Sequence, residues 1–302
     1  MNSVAMASPL FNGLSYSSIL LMMALGLAII FGLMGVINMA HGELMTAGAY
    51  ATYLTQITLF KLGGAQAADW TYIVAIPVAF VIAALLGLLL EWAVVRFLYG
   101  RALETLLATW GVSLILQQAF RNIFGSNNVA VNTPGWLSGG VTLGQLQLPY
   151  ARLYILALVV VVFAAVLLYL RLSRIGLQIR AAMQNRNTAA AFGISPRKID
   201  MITFALGSGV AGVAGVGLSL VGSIGPTTGQ HYLIDAFMVV VLGGVGNLFG
   251  ALFGAFLIGE THSVLEFFTS STGAKVAVFT LIIVFLQLRP GGLFPARNRA
   301  LD

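Results

Sequence analysis

The sequence predicts an all-α protein, a polytopic transmembrane helix bundle of about eight to nine spans in a single domain over residues 1–302. Three observations predict it. Of its residues 59% are hydrophobic and only 8% charged, against about 25% charged in ordinary soluble chains. The apolar residues fall in runs long enough to cross a bilayer. The 35 glycines suit helices in lipid, where small residues let backbones approach closely. A net charge of +6 would suggest nucleic acid in a soluble chain, but here the cations flank apolar runs, so topology accounts for them and no nucleic-acid partner is expected. With no cysteine, disulfides and cysteine-ligated metals are excluded.

Taken in order, the runs lie near 15–36, 43–60, 72–98, 104–123, 152–171, 200–222, 231–246, 248–268 and 274–289. The N-terminal stretch has no Lys or Arg, and its run is too long for a secretory signal, so the first span is expected to be retained. The seventh and eighth runs form one apolar stretch broken by Gly243-Gly244-Val245-Gly246-Asn247. It is too long for one crossing without extreme tilt. Residues 231–246 are then either a full crossing or a re-entrant segment.

Charge favours nine crossings. With the basic segment around 173–200 held inside, nine crossings leave Arg96, Arg101, Arg171, Arg174, Arg180, Arg186, Arg197, Lys198, Arg289, Arg297 and Arg299 inside, and Lys61, Arg121, Arg152 and Lys275 outside, a split of 11 to 4. Eight crossings put Lys275 inside and Arg289, Arg297 and Arg299 outside, a split of 9 to 6 that weakens the positive-inside bias. The N-terminus is therefore expected outside and the C-terminus in the cytoplasm. The loop at about 124–151, rich in Asn, Gly, Pro and Thr, falls outside, as an ordered lid or docking surface or as a plain connection.

Several motifs carry possible chemistry. Gly207, Ala211, Gly215 and Ser219, and then Gly246, Gly250 and Gly254, recur every four residues. Such stripes serve close packing or a sliding surface. The run Gly35-Val36-Ile37-Asn38-Met39-Ala40-His41-Gly42-Glu43 sets an amide, an imidazole and a carboxylate between two apolar runs. Ionisable groups at membrane depth usually face a pathway, and broken helices in transporters present backbone groups to solute. A wet turn at the membrane surface accounts for them equally. Asn38, His41, Glu43, Gln117, Gln118, Asp235, Asn247 and Glu260 are the candidate lining of a substrate pathway. No catalytic residue and no metal site is expected: His41-Gly42-Glu43 lacks the i, i+4 histidines of a metalloprotease helix, and His231 and His262 have no matching spacing. The chain has no G-x-x-x-x-G-K-[ST] phosphate loop, so a nucleotide that drives it would bind another chain.

Four segments in order, GLMGVINMAHGE (core 33–43), GLQIRAAMQNRNTAAAFGI (176–194), VVLGGVGNLFGALFGAFL (240–257) and LRPGGLF (288–294), resemble the permease subunits of ABC importers for branched-chain amino acids and urea. FGLMGVINMAHGE (31–43), residues 104–118 and the external NTPGWLSGG (132–140) look closer to the urea type. The resemblance implies a multi-pass protein of the bacterial inner membrane that imports urea, or alternatively a branched-chain amino acid or short amide. It implies a second permease subunit, most often a different chain, two ATP-binding cassette subunits that use the ATP, and an external solute-binding protein. This chain would bind no cofactor. In the family, a cytoplasmic coupling helix, here within about 173–199, docks on the ATPase. The matching positions are Arg180, Ala181, Asn185, Ala189, Ala190, Gly193 and Ile194. Alanines there allow close approach, Arg180 and Arg186 offer charge-assisted bonds, and Gly193 ends the helix. A stand-alone channel or secondary transporter shares the composition but gives no reason for such a loop. An intramembrane enzyme using His41 and Glu43 lacks a third catalytic partner in the sequence.

Overall fold

The computed structural model describes residues 3–143 and 146–295; Arg297 and Arg299 lie outside the described residues. The described chain forms eleven helices and one hairpin. In order they are α1 (Ser3–Met34), α2 (His41–Ala68), α3 (Thr71–Ala93), α4 (Ala102–Phe124), the strands β1 (Gly140–Leu143) and β2 (Leu146–Pro149), then α5 (Tyr150–Leu172), α6 (Arg174–Gln184), α7 (Arg186–Ala191), α8 (Pro196–Val221), α9 (Thr228–Gly243), α10 (Leu248–Phe268) and α11 (Ser271–Leu288).

The all-α bundle is as expected, but the span count differs. Six segments are long and apolar enough to cross a membrane: Pro9–Met34, Thr71–Phe97, Tyr150–Leu172, Pro196–Val221, Leu248–Phe268 and Ser271–Leu288. The second, fourth and seventh runs do not qualify. Helix α9 has 16 residues, about 24 Å at 1.5 Å per residue, short of the roughly 30 Å of hydrocarbon. Helices α2 and α4 have the length, but polar side chains at Glu43, Thr46, Thr105, Thr109, Ser113 and Gln117 dilute their hydropathy, and all six of these are buried.

Helix α8 is the central post, with α1, α2 and α3 packed around it. The glycine stripes make this possible. A Cβ on Gly48 would stand 2.0 Å from the Gly212 carbonyl oxygen, and one on Gly215 would stand 2.2 Å from that of Met45. Gly26 and Gly207 meet in the same way where α1 crosses α8. With side chains absent at these points the helix backbones touch, which is how helices gain packing energy without a hydrophobic drive between them. On the other side, α1 and α10 run antiparallel, with Gly13 facing Glu260, Ser17 facing Gly259 and Gly32 facing Gly246.

These pairings define two ends of the bundle. At one end Leu33 and Met34 of α1 share a cleft with Ile179, Asn185 and Asp200 of the α6–α8 segment. At the other end, the 125–149 connection is tied down at several points. Gln56 and Asn132 bond reciprocally at 2.8 and 2.9 Å, and the Trp136 indole donates to the Asp69 carbonyl at 2.8 Å. Val129 and Ile224 exchange backbone bonds, and β1 pairs antiparallel with β2. The connection is therefore an ordered cap over the α2–α3 and α8–α9 turns.

Candidate functional site

The site begins where α1 stops. Gly35, at φ +67°, takes the left-handed conformation that glycine adopts at little cost, and residues 35–40 lead the chain to α2. Helix α2 then starts deep in the bundle. The His41 ring Nε2 lies 3.2 Å from the Met23 carbonyl oxygen, and the ring sits against Gly26. Gly26 is eight residues before the end of α1, about 12 Å along its axis. Asn38 and His41 have no exposed surface, and Glu43 is 1% exposed. The group is thus buried and is not a wet turn.

Three elements close on the start of α2. The Asn38 side-chain oxygen accepts from the Ala40 N–H at 3.0 Å, and the Met39 N–H donates to Thr109 Oγ1 at 3.0 Å. Helix α9 begins alongside: the Gly229 N–H donates to Thr46 Oγ1 at 3.0 Å, and a Cβ on Gly42 would stand 2.7 Å from the Gly229 carbonyl oxygen. Glu43 lies in the first turn of α2, where the positive end of the helix dipole favours a carboxylate. Its Oε1 accepts from Ser113 Oγ and Gln117 Nε2, both at 2.8 Å. The Gln117 amide also lies 3.3 Å from Gln230 Oε1 on α9.

The cluster is incompletely satisfied. Glu43 Oε2, Asn38 Nδ2 and His41 Nδ1 are buried without a hydrogen-bond partner, and no cation among the described residues lies within 4 Å of Glu43. A carboxylate oxygen, an amide donor and an imidazole nitrogen left open in a dry interior are costly unless something else meets them. Such a set suits a small solute with N–H donors. Among the described residues no three His, Cys, Asp or Glu groups are arranged to hold a metal.

The structure bonds Gln117 to Glu43, sets Asn38 and His41 at the same helix start with the His41 ring turned toward α1, and disperses the rest of the expected lining. Gln118 bonds Asn122 along the exposed side of α4 at 3.0 Å. Asn247 caps α10, accepting from the Gly250 N–H at 3.1 Å. Glu260 packs against Gly13, and Asp235 is bonded by Tyr16 and Lys275. Thr109, Ser113 and Gln230 belong to the site and were missed. The α4 members had a signal, since Thr105, Thr109, Ser113 and Gln117 recur every four residues in an otherwise apolar helix.

At the opposite end from the capping loop, the 173–199 segment folds into two short helices. Ser173 caps α6 through the Gly176 N–H, and Asn185 caps α7 through that of Thr188. Gly193, at φ +81°, ends α7 as expected. Ala189 is buried, Ala181 and Ile194 are half-buried, and Asn185 and Ala190 are exposed. The two arginines are engaged within the chain. Arg180 donates to the Leu170 carbonyl, and Arg186 to the Asp200 carboxylate. The Arg186 guanidinium also lies 4.9 Å from the centre of the Tyr99 ring, and the Tyr99 hydroxyl donates to Glu91 at 3.3 Å. Burial, and then the nearby Asp200 and Glu91 carboxylates, raise the Tyr99 phenol, so it stays a donor. Among exposed polar residues such as Arg174, Gln178 and Asn187, this surface also offers apolar side chains: Leu177, Met183 and above all Phe192, 83% exposed.

In comparisons with known proteins, residues 9–287 match the family described as branched-chain amino acid transport system / permease component. The chain is similar to the high-affinity branched-chain amino acid transport system permease protein LivH of Escherichia coli K12, at 29% identity over 94% of each chain. It is equally similar to BraD, named for the same system in Pseudomonas aeruginosa, at 29% identity over 94% of each. LivM of Escherichia coli K12, another permease protein of that system, is 27% identical over 92% of this chain and 68% of its own. No solved structure matches.

Proposed function

This chain belongs to the family of permease components of branched-chain amino acid transport systems, and from that premise we propose that it is one permease half of an ATP-driven importer of branched-chain amino acids in a bacterial inner membrane. One observation carries the reading: a broken-helix junction holding a buried carboxylate, Glu43, whose one oxygen is fixed by Ser113 and Gln117 and whose other is open. Solute passes along this junction between α2, α4 and α9, with the open groups of Glu43 and Asn38 exchanging hydrogen bonds with it. The six relatively apolar spans are completed by α2, α4 and α9, giving nine passes. The polar content that keeps α2 and α4 from qualifying by hydropathy is the lining of the path. The capping loop faces outside, toward a solute-binding protein, and the α6–α7 surface faces the cytoplasm.

The transport systems for which the relatives are named support branched-chain amino acids as the substrate class. The expectation of urea rests on the texture of 31–43, 104–118 and 132–140 and has no such support. The similarity to both LivH and LivM of one organism supports a second, different permease chain. The energy source is a pair of separate ATPase subunits, supported by the absence of a phosphate loop here and by the apolar side chains that α6–α7 presents. The chain catalyses no covalent step. Uptake of labelled leucine and labelled urea by proteoliposomes holding the assembled importer tests the substrate class. Saturable leucine uptake unaffected by excess urea is expected; urea uptake with leucine inert overturns it.

A further inference from the structure

The end of the bundle that carries the capping loop also carries a polar cup that the import path above does not use. It lies between the first turns of α9 and α11, the last turns of α10 and the early part of α1, with a volume of about 450 Å³. Tyr16, His231, His262, Glu266 and Lys275 are among its lining. At its base Asp235, 3% exposed, accepts from the Tyr16 hydroxyl at 2.8 Å and from Lys275 Nζ at 3.0 Å. That triad satisfies Asp235 but not its neighbours.

Three groups remain open. Lys275 is 38% exposed and has two further N–H donors beyond the one spent on Asp235. Glu266 is 48% exposed, and its one ionic neighbour among the described residues is His262, 3.7 Å away. His262 is 7% exposed, and its Nε2 is buried without a partner. The cup thus holds an unpaired carboxylate, Glu266, and an ammonium, Lys275, that is paired with Asp235 but keeps two N–H donors, on adjacent helices, with an unspent imidazole nitrogen on His262 between the ring of Tyr16, 5.0 Å away, and Glu266. A pure anion would leave the Glu266 charge unmet, and a pure cation would leave the two remaining Lys275 donors without an acceptor. A small zwitterion meets both. The volume equals that of about fifteen waters at roughly 30 Å³ each, enough for a leucine-sized molecule with part of its hydration.

We infer that this cup is a second, outer binding site for a small zwitterion, with the carboxylate held by Lys275 and the ammonium by Glu266. It is read from the cup's own groups and stands apart from the Glu43 junction. On the sidedness proposed above, it would receive solute before the junction does.

The test is equilibrium binding of labelled L-leucine to the full chain in lipid nanodiscs, each variant first checked for a single size-exclusion peak. Saturable binding is expected, weakened about tenfold or more by Glu266→Gln and by Lys275→Met, as loss of a charge-assisted bond predicts. 3-Methylbutylamine, which lacks the carboxylate, and 4-methylpentanoate, which lacks the ammonium, should each compete at least about tenfold more weakly than leucine. Gly111→Ala, remote from the cup and with nothing within 4 Å of the added Cβ, should leave binding at wild-type affinity. Lys275→Met uncovers the buried Asp235 charge; if that variant does not fold, half-exposed Glu266→Gln decides alone. The proposal is overturned by three results: no saturable binding, wild-type binding in Glu266→Gln, or the amine competing as well as leucine. Binding lost in Glu43→Gln but kept in Glu266→Gln would also overturn it, while leaving the reading of the junction intact.

Discussion

Replacing Glu43 by Gln changes the charge of the junction while keeping its shape. In the structure Glu43 Oε1 accepts two bonds of 2.8 Å, from Ser113 and Gln117. Making both neutral costs about 1 kcal/mol each. Against that, a carboxylate at 1% exposure carries a desolvation penalty of several kcal/mol that the amide does not. The two effects oppose each other, so folding should change by no more than about 2 kcal/mol, a shift of a few degrees in Tm. Transport is different. If solute N–H groups bond to the open Oε2, the variant loses a charge-assisted bond of about 1.5–3 kcal/mol, or roughly 10- to 150-fold in rate. The assay is ATP-dependent uptake of labelled leucine by the assembled importer in proteoliposomes, with Tm and subunit stoichiometry measured on the same preparations. Uptake within about twofold of wild type, with normal assembly, would refute the assignment of solute contact to Glu43.

Other expectations follow from the same geometry. Gly48→Ala places a methyl 2.0 Å from the Gly212 carbonyl oxygen, and because both partners are backbone the helices must separate, at a cost of about 1–3 kcal/mol or more; melting in detergent should show it. Gly111→Ala, in α4 with nothing within 4 Å of the added Cβ, should be neutral or slightly stabilising by the same measurement. Phe192→Ser removes the most exposed apolar side chain of the α6–α7 surface and should leave Tm unchanged while reducing co-purification of the ATPase subunits. Arg186→Ala leaves Asp200, 6% exposed, without its cation, and should lower Tm by more than the double variant Arg186→Ala, Asp200→Asn does; equal melting would deny that pair a structural role.

What could be read in advance follows from how local each signal is. The bundle, the glycine contacts, the end of α7 at Gly193 and the break at Gly35–Glu43 are written in short stretches of sequence, because hydropathy, small-residue spacing and glycine conformation are local properties. The depth of the break is not local. His41 is buried because α2 starts beside Met23 and Gly26, a relation between two helices that no run of residues states. Gln230 joins Gln117 from a position 113 residues away, and Lys275 reaches Asp235 across 40, so neither pairing had a periodicity to reveal it. The intrachain partners of Arg180 and Arg186 were hidden for a related reason: the Leu170 carbonyl and the Asp200 carboxylate are brought to them by the fold, and no local pattern states it. Hydropathy gives six spans because polar residues along α4 and in the first turn of α2 dilute two helices that have the length to cross, while α9 is short.

The central claim is that this chain moves solute only when separate ATPase subunits drive it through the α6–α7 surface. The most direct measurement is leucine uptake in proteoliposomes prepared with and without those subunits, at matched amounts of permease. The account predicts ATP-dependent uptake in the complete assembly and none above leak when the ATPases are omitted. Equal uptake by the permease chains alone, with or without ATP, would contradict it.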